Sequence, residues 1–237
     1  PEGEIITQIR HIESSEPNFD KLDYLNNLCR YVCQHTPDEN EMREKYLEVI
    51  NREPQKRITR YAAGIMGGTG FAVFFGCNLW DAVIAFIVSV MIVAVGDWLA
   101  KRESNLLVYN GILAFISEVI IIGALKMGIA EHPDRIMIGI VMLLISGLST
   151  TNGIRDLLQR DFISGFINIM NSFLGAAVIA FGIGLAIILF HEGYSDHFIL
   201  NHSVPIQLLS CTVACTGFAL WFKIRGKQVW YNSIGAF

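Results

Sequence analysis

From Tyr61 onward the sequence is built of apolar runs whose lengths suit a hydrocarbon core of about 30 Å, which about 20 residues of helix can cross. Six runs are present, at 61–77, 79–99, 106–127, 136–148, 166–190 and 205–222, and a seventh starts at Val229. The fourth is too short to span alone, so its helix either breaks within the membrane or continues through the polar stretch that follows. Lipid offers the backbone no hydrogen-bond partners, and continuous apolar runs of this length satisfy that constraint as helices. The expected fold is an all-α polytopic membrane protein with about six transmembrane helices and a short amphipathic helical cytosolic head.

The composition agrees with this division. Hydrophobic residues make up 52% of the 237 positions and charged residues only 17%, below the charged share of soluble domains. Residues 1–60 hold 21 of the 40 charges. Within that head, Leu22, Leu25, Leu28, Cys29, Val32 and Cys33 recur at helical steps after Pro17, and Met42, Tyr46, Leu47 and Ile50 form a second narrow face. These helices are read as lying on the membrane body or on a cytosolic domain outside the chain; for the first dozen residues a solvated linker fits equally well.

Orientation follows from Lys and Arg, which gather on cytoplasmic loops. Arg52, Lys56, Arg57 and Arg60 precede the first run, Lys101 and Arg102 follow the second, Arg155 and Arg160 the fourth, and Lys223, Arg225 and Lys227 the sixth. The opposite loops hold only Lys126 and Arg135, which places the N-terminus in the cytoplasm. Trp80, Trp98, Tyr109, Trp221 and Trp230 fall near run ends, where interfacial aromatics belong. Gly64 with Gly68, and Ala176 with Ala180 and Gly184, offer small faces for close helix packing. The five cysteines, two pairs of them at i,i+4, are read as packing residues.

The stretch 146–165 is dense in hydroxyls, glycines and an amide, although it joins two apolar runs. Ser149, Thr150, Thr151 or Asn152 could cap the helix begun by Ile154, Leu157 and Leu158. A helix N-terminus at membrane depth presents free N–H groups and partial positive charge, a way to hold an anionic substrate group. A plain interfacial turn explains the same residues.

This stretch resembles the threonine/serine exporter family of bacterial membrane transporters. Gly147, Asn152, Asp156, Asp161 and Gly165 stand at the positions of that family's first-half motif, and Phe75-Gly76 and Trp80-Asp81 match around the first loop. The resemblance runs from the late head to Phe190 and implies a five-helix first half at 61–190, preceded by a cytosolic head at 1–60. Residues 191–237 look like an external loop and the opening helix and basic loop of a second half, so the complete protein is expected to have about ten spans, with the rest downstream or on a partner. Ser146 replaces the family's proline, Arg160 takes a usually small position, and only the last helices of the usual cytosolic domain are present, which leaves the substrate open.

The resemblance implies proton-driven export of threonine or serine across the bacterial inner membrane, or, in a split two-subunit branch, of a dicarboxylate such as succinate. The expected partners are a small hydrophilic substrate, protons, the lipid bilayer, and an oligomer or partner half-transporter. Thr150, Thr151, Asn152, Asn168 and Asn171 are the candidate substrate-binding residues; Asn168 shares a face with Asn171 and Ser172, and interhelical hydrogen bonding is the alternative use of that face. The candidate proton carriers are Glu118, a carboxylate in mid-run, and Asp156 and Asp161. For Glu118 the alternative is a structural anchor between helices, and for the two aspartates loop positions at the interface. Asp81 and Asp97 are read as interfacial.

Other chemistries lack their signatures. The pI near 5.9 and the absence of a basic run with aromatics set nucleic acid aside. No GxxxxGK[ST] occurs for an ATP motor, and His191, His197 and His202 lack metal-site spacing. Ser195, Asp196 and His197 stand too close in sequence for a triad. Neither an enzyme nor a cofactor is expected.

Overall fold

The computed structural model describes residues 18–52, 55–99, 102, 105–145, 147–191 and 203–235. Ten helices and no strands are found among them: α1 (Phe19–His35), α2 (Glu39–Ile50), α3 (Arg57–Phe74), α4 (Leu79–Leu99), α5 (Leu106–Lys126), α6 (Pro133–Leu144), α7 (Gly147–Leu158), α8 (Phe162–Phe190), α9 (Val204–Trp221) and α10 (Lys227–Ile234). They divide into two compact units, one holding α1 and α2 with residues 222–224, the other the remaining helices.

In the smaller unit α1 starts at Asn18, whose side chain accepts from the Lys21 N–H. It is tied to the end of α2 by polar contacts. Arg52 donates to Asp20 at 3.1 Å and lies over the Tyr24 ring, and Lys21 Nζ donates to the Ile50 carbonyl at 2.6 Å. Leu22, Tyr46 and Leu47 stay exposed on the pair.

In the larger unit α3 packs against α4, α6 and α9, α5 against α4, α6 and α8, α7 against α8, and α10 against α9. The glycines of α3 let its neighbours approach to backbone distance. A Cβ on Gly70 would lie 2.9 Å from the Ala214 nitrogen of α9, and one on Gly139 of α6 would lie 2.6 Å from the Ala72 nitrogen of α3. Gly64 and Gly68 do meet a partner, Val93 and Ser89 of α4. The small face of α8 is a different one from that expected: Gly182 sits against the Gly111 carbonyl of α5, whereas Gly184 has open space around it. Val88, Ile92, Leu113, Ile121, Ile136 and Ile140 form the buried centre. The hydroxyls of Ser89 and Ser117, buried beside them, bond back to the carbonyls four residues earlier, Ala85 and Leu113.

By length and composition four helices can cross a membrane: α4, α5, α8 and α9. The pair α6 and α7, bent by 56° at the break between them, makes a fifth if it is one span. The expected count of about six differs at the first run. Its helix, α3, includes Arg57, Arg60 and four glycines, and is less apolar than the other four. The short fourth run has the expected break. α6 ends at Leu144, and α7 restarts at Gly147 through the polar stretch.

Replacing Gly70 by Leu forces α3 off α9, and overpacking of this kind costs about 1–3 kcal/mol. It is expected to lower the thermal midpoint of the detergent-solubilised protein, whereas Gly184→Ala, which meets nothing and gains helix propensity, should not lower it.

Candidate functional site

α7 and the start of α8 form an antiparallel hairpin turned at Arg160, which adopts a left-handed φ of 66°. Close approach is possible because both helices present glycine at the crossing. A Cβ on Gly153 would come within 3.0 Å of the Gly165 carbonyl, and one on Gly165 within 2.9 Å of the Gly153 carbonyl. Backbones this near bring short polar side chains within bonding distance, and a polar seam runs along the hairpin. Thr150 and Ser172 share a hydroxyl–hydroxyl bond of 2.6 Å. Asp156 Oδ2 accepts from Ser164 Oγ at 2.8 Å and from Asn168 Nδ2 at 3.0 Å.

The structure thus joins Thr150, Asp156 and Asn168 of the expected set into one seam and adds Ser164 and Ser172. Thr151 is exposed and bonds back to the Gly147 carbonyl at 3.0 Å. Asn152 and Asn171 are exposed, away from the half-buried seam. Asp161 caps α8 by accepting from the Ser164 N–H. The i+4 step from Asn168 reaches Ser172, so the seam selects the hydroxyl and leaves the i+3 amide outside.

Glu118 stands apart from the seam. It is 1% exposed and lines a small, mostly apolar cavity with Ala114, Ser117 and Ile121 of α5, Ile183 of α8 and four residues of α6. Those four, Met137, Ile140, Val141 and Leu144, carry the cavity along α6 to its last residue before the break.

A further cluster escaped the sequence reading. Asp81, taken there as interfacial, is 0% exposed. It accepts from the Glu131 N–H at 2.9 Å and lies 3.0 Å from His132 Nδ1. Arg135, 7% exposed, donates to the Gly76 carbonyl at 2.6 Å. The available signal was Arg135 itself, one of two cations on loops otherwise without positive charge. At the other end Arg60 and Asp97 pair at 2.7 Å, joining α3 to α4, and Arg102 lies over the Trp98 ring. Among the described residues no group of three His, Cys, Asp or Glu side chains is placed to hold a metal; His197 and His202 lie outside them.

Residues 1–190 match the family described as "Putative threonine/serine exporter". The chain belongs to this threonine/serine exporter family. Membership and the apolar helices make it a multi-pass membrane protein of transporter type, and α9 and α10 lie beyond the matched residues. No curated protein and no solved structure matches the chain.

Hydrogen bonds of the seam are expected to be interdependent. Ser164→Ala and Asn168→Ala should each cost about 1 kcal/mol of stability, as single intramolecular bonds do. Either combined with Asp156→Ala should cost less than the sum, measured as a double-mutant cycle on the thermal midpoint.

Proposed function

We propose that the protein exports threonine or serine across the bacterial inner membrane in exchange for protons, with Glu118 carrying the proton and the α7–α8 seam forming the substrate site. The observation that carries this reading is the burial of Glu118 in the middle of α5, beside a small apolar cavity that α6 also lines. Ionisable groups at membrane depth are costly to keep, and intramembrane acids of this kind serve proton relays. Thr150, Ser172 and Asn168 supply hydroxyls and an amide, the groups a zwitterionic hydroxy amino acid needs. Asp156, already engaged by Ser164 and Asn168, is placed to receive an ammonium group.

The same reading sets the N-terminus in the cytoplasm, because the basic residues alternate between loops. It also gives α3 a sixth crossing. A helix enclosed by α4, α6 and α9 needs less apolar surface than one facing lipid, and Ala63, Gly64, Gly67, Gly68, Gly70 and Ala72 are all buried.

The test is flux of labelled threonine and serine in vesicles containing the full-length protein, with and without an imposed pH gradient. Glu118→Gln is expected to abolish the acceleration by the gradient, a loss of tenfold or more, while threonine–threonine exchange persists. Thr150→Val should raise KM with little change in maximal rate. Gradient-independent flux in the unaltered protein would refute proton exchange.

A further inference from the structure

The end of the bundle opposite the basic loops is held by side chains that cross between two loops. Asp81, at the start of α4, accepts from the N–H groups of Asn78, Glu131 and His132 at 3.3, 2.9 and 3.3 Å. His132 Nδ1 lies 3.0 Å from its second oxygen. Asn78 Nδ2 donates to Glu131 Oε2 at 2.6 Å, and Arg135 reaches back from α6 to the Gly76 carbonyl. Gly76 has φ of 98°, a conformation that favours glycine and points its carbonyl at that guanidinium. The loop between α3 and α4 is thereby fastened to the loop between α5 and α6.

We propose that Asp81 and His132 form a proton-binding site facing the outside, and that its protonated form clasps these two loops shut. The inference rests on the proton-exchange reading and orientation given above. His132 is 25% exposed on its side chain and open to water, while Asp81 is fully enclosed. Imidazole is the side chain that changes charge in the physiological range. With Nδ1–H donated to Asp81, the proton from outside binds Nε2, no bond is broken, and the neutral contact becomes an ion pair. Three backbone N–H groups also converge on the Asp81 carboxylate. The other charged and titratable groups around the pair are Glu131 on the same loop, Asp134 and Arg135 on α6, and Cys77 on the facing loop. Comparison with His132→Gln separates the imidazole's response from theirs.

The sign suits an exporter. After release outside, an exchanger must close its outer end only once a proton has bound, or the gradient drives nothing. A clasp strengthened by protonation ties closure of the outer end to the supply of protons outside.

Cys77 is a built-in reporter. It is 3% exposed, and burial together with the Asp81 carboxylate pushes its thiol up. In the full-length protein with Cys29, Cys33, Cys211 and Cys215 changed to Ser, Cys77 is labelled in vesicles by an impermeant maleimide from outside. Between pH 8 and pH 6 the labelling rate should fall at least tenfold further with His132 than with His132→Gln, whose profile should follow thiol ionisation alone. Asp81→Asn should label faster than the parent at both pH values, with a fall that follows thiol ionisation alone. If that variant does not accumulate, Asn78→Ala should raise labelling at both while keeping the His132-dependent fall. Identical pH profiles with and without His132 overturn the clasp. Labelling needs no substrate, so a His132-dependent profile without gradient-driven flux would overturn the export reading and leave the clasp standing.

Discussion

Backbone approach along α3 is the constraint on which the larger unit depends. Lipid gives apolar helices no hydrophobic reason to associate, so contact area and fit must do it. α3 answers with small residues on three sides. Gly64 and Gly68 receive α4, Ala72 receives Gly139 of α6, and Gly67 and Gly70 receive Gly217 and Ala214 of α9. The same residues that make α3 weakly apolar make it the helix on which three others converge. α5 then fills the space left between α4 and α6 and carries α8 on its outer side.

The two ends of this unit are fastened by unlike chemistry. At the basic end the Arg60–Asp97 pair is partly exposed, and such pairs contribute about 0–1 kcal/mol. At the opposite end Asp81 is enclosed and fully engaged, and removing a partner from a buried charge costs far more than an exposed pair contributes. The acidic end is therefore the firmly held one, and the basic end has less to overcome in moving.

The helices were legible because hydropathy and helix length are local properties. Runs at 79–99 and 106–127 coincide with α4 and α5 almost to the residue. The seam was half legible: 150, 156 and 168 were found, but Asn171 was preferred to Ser172 because i+3 and i+4 share a face until a partner helix selects one. The Asp81 cluster was not legible at all. Its members stand about fifty positions apart, and nothing in the neighbourhood of Asp81 in sequence distinguishes a carboxylate under a loop from one at the lipid surface. The same blindness misplaced the small face of α8. Ala176, Ala180 and Gly184 repeat regularly, but Gly182 is the residue that meets α5.

Helix lengths set the depth of each polar group. α5 and α8 run parallel, since Gly111 meets Val178 and Gly182 while Lys126 reaches the Phe190 carbonyl. α8 has 29 residues to the 21 of α5, so its first turns extend about 12 Å past the start of α5 at 1.5 Å per residue. α7 lies along that extension, which brings the seam to the basic end of the unit and not beside the middle of α5. Glu118 precedes Lys126, the last residue of α5, by eight residues, again about 12 Å, and so sits near the middle of that helix. Polar groups thus occur at the basic end, near the middle of α5 and at the loops joined by Asp81. Between the last two stands a layer that includes Ile121, Ile122 and Ile136, all fully buried. Apolar packing of that kind holds no water, so in the proposed exchange a proton would pass between the Asp81 loops and Glu118 only when the helices carrying that layer part.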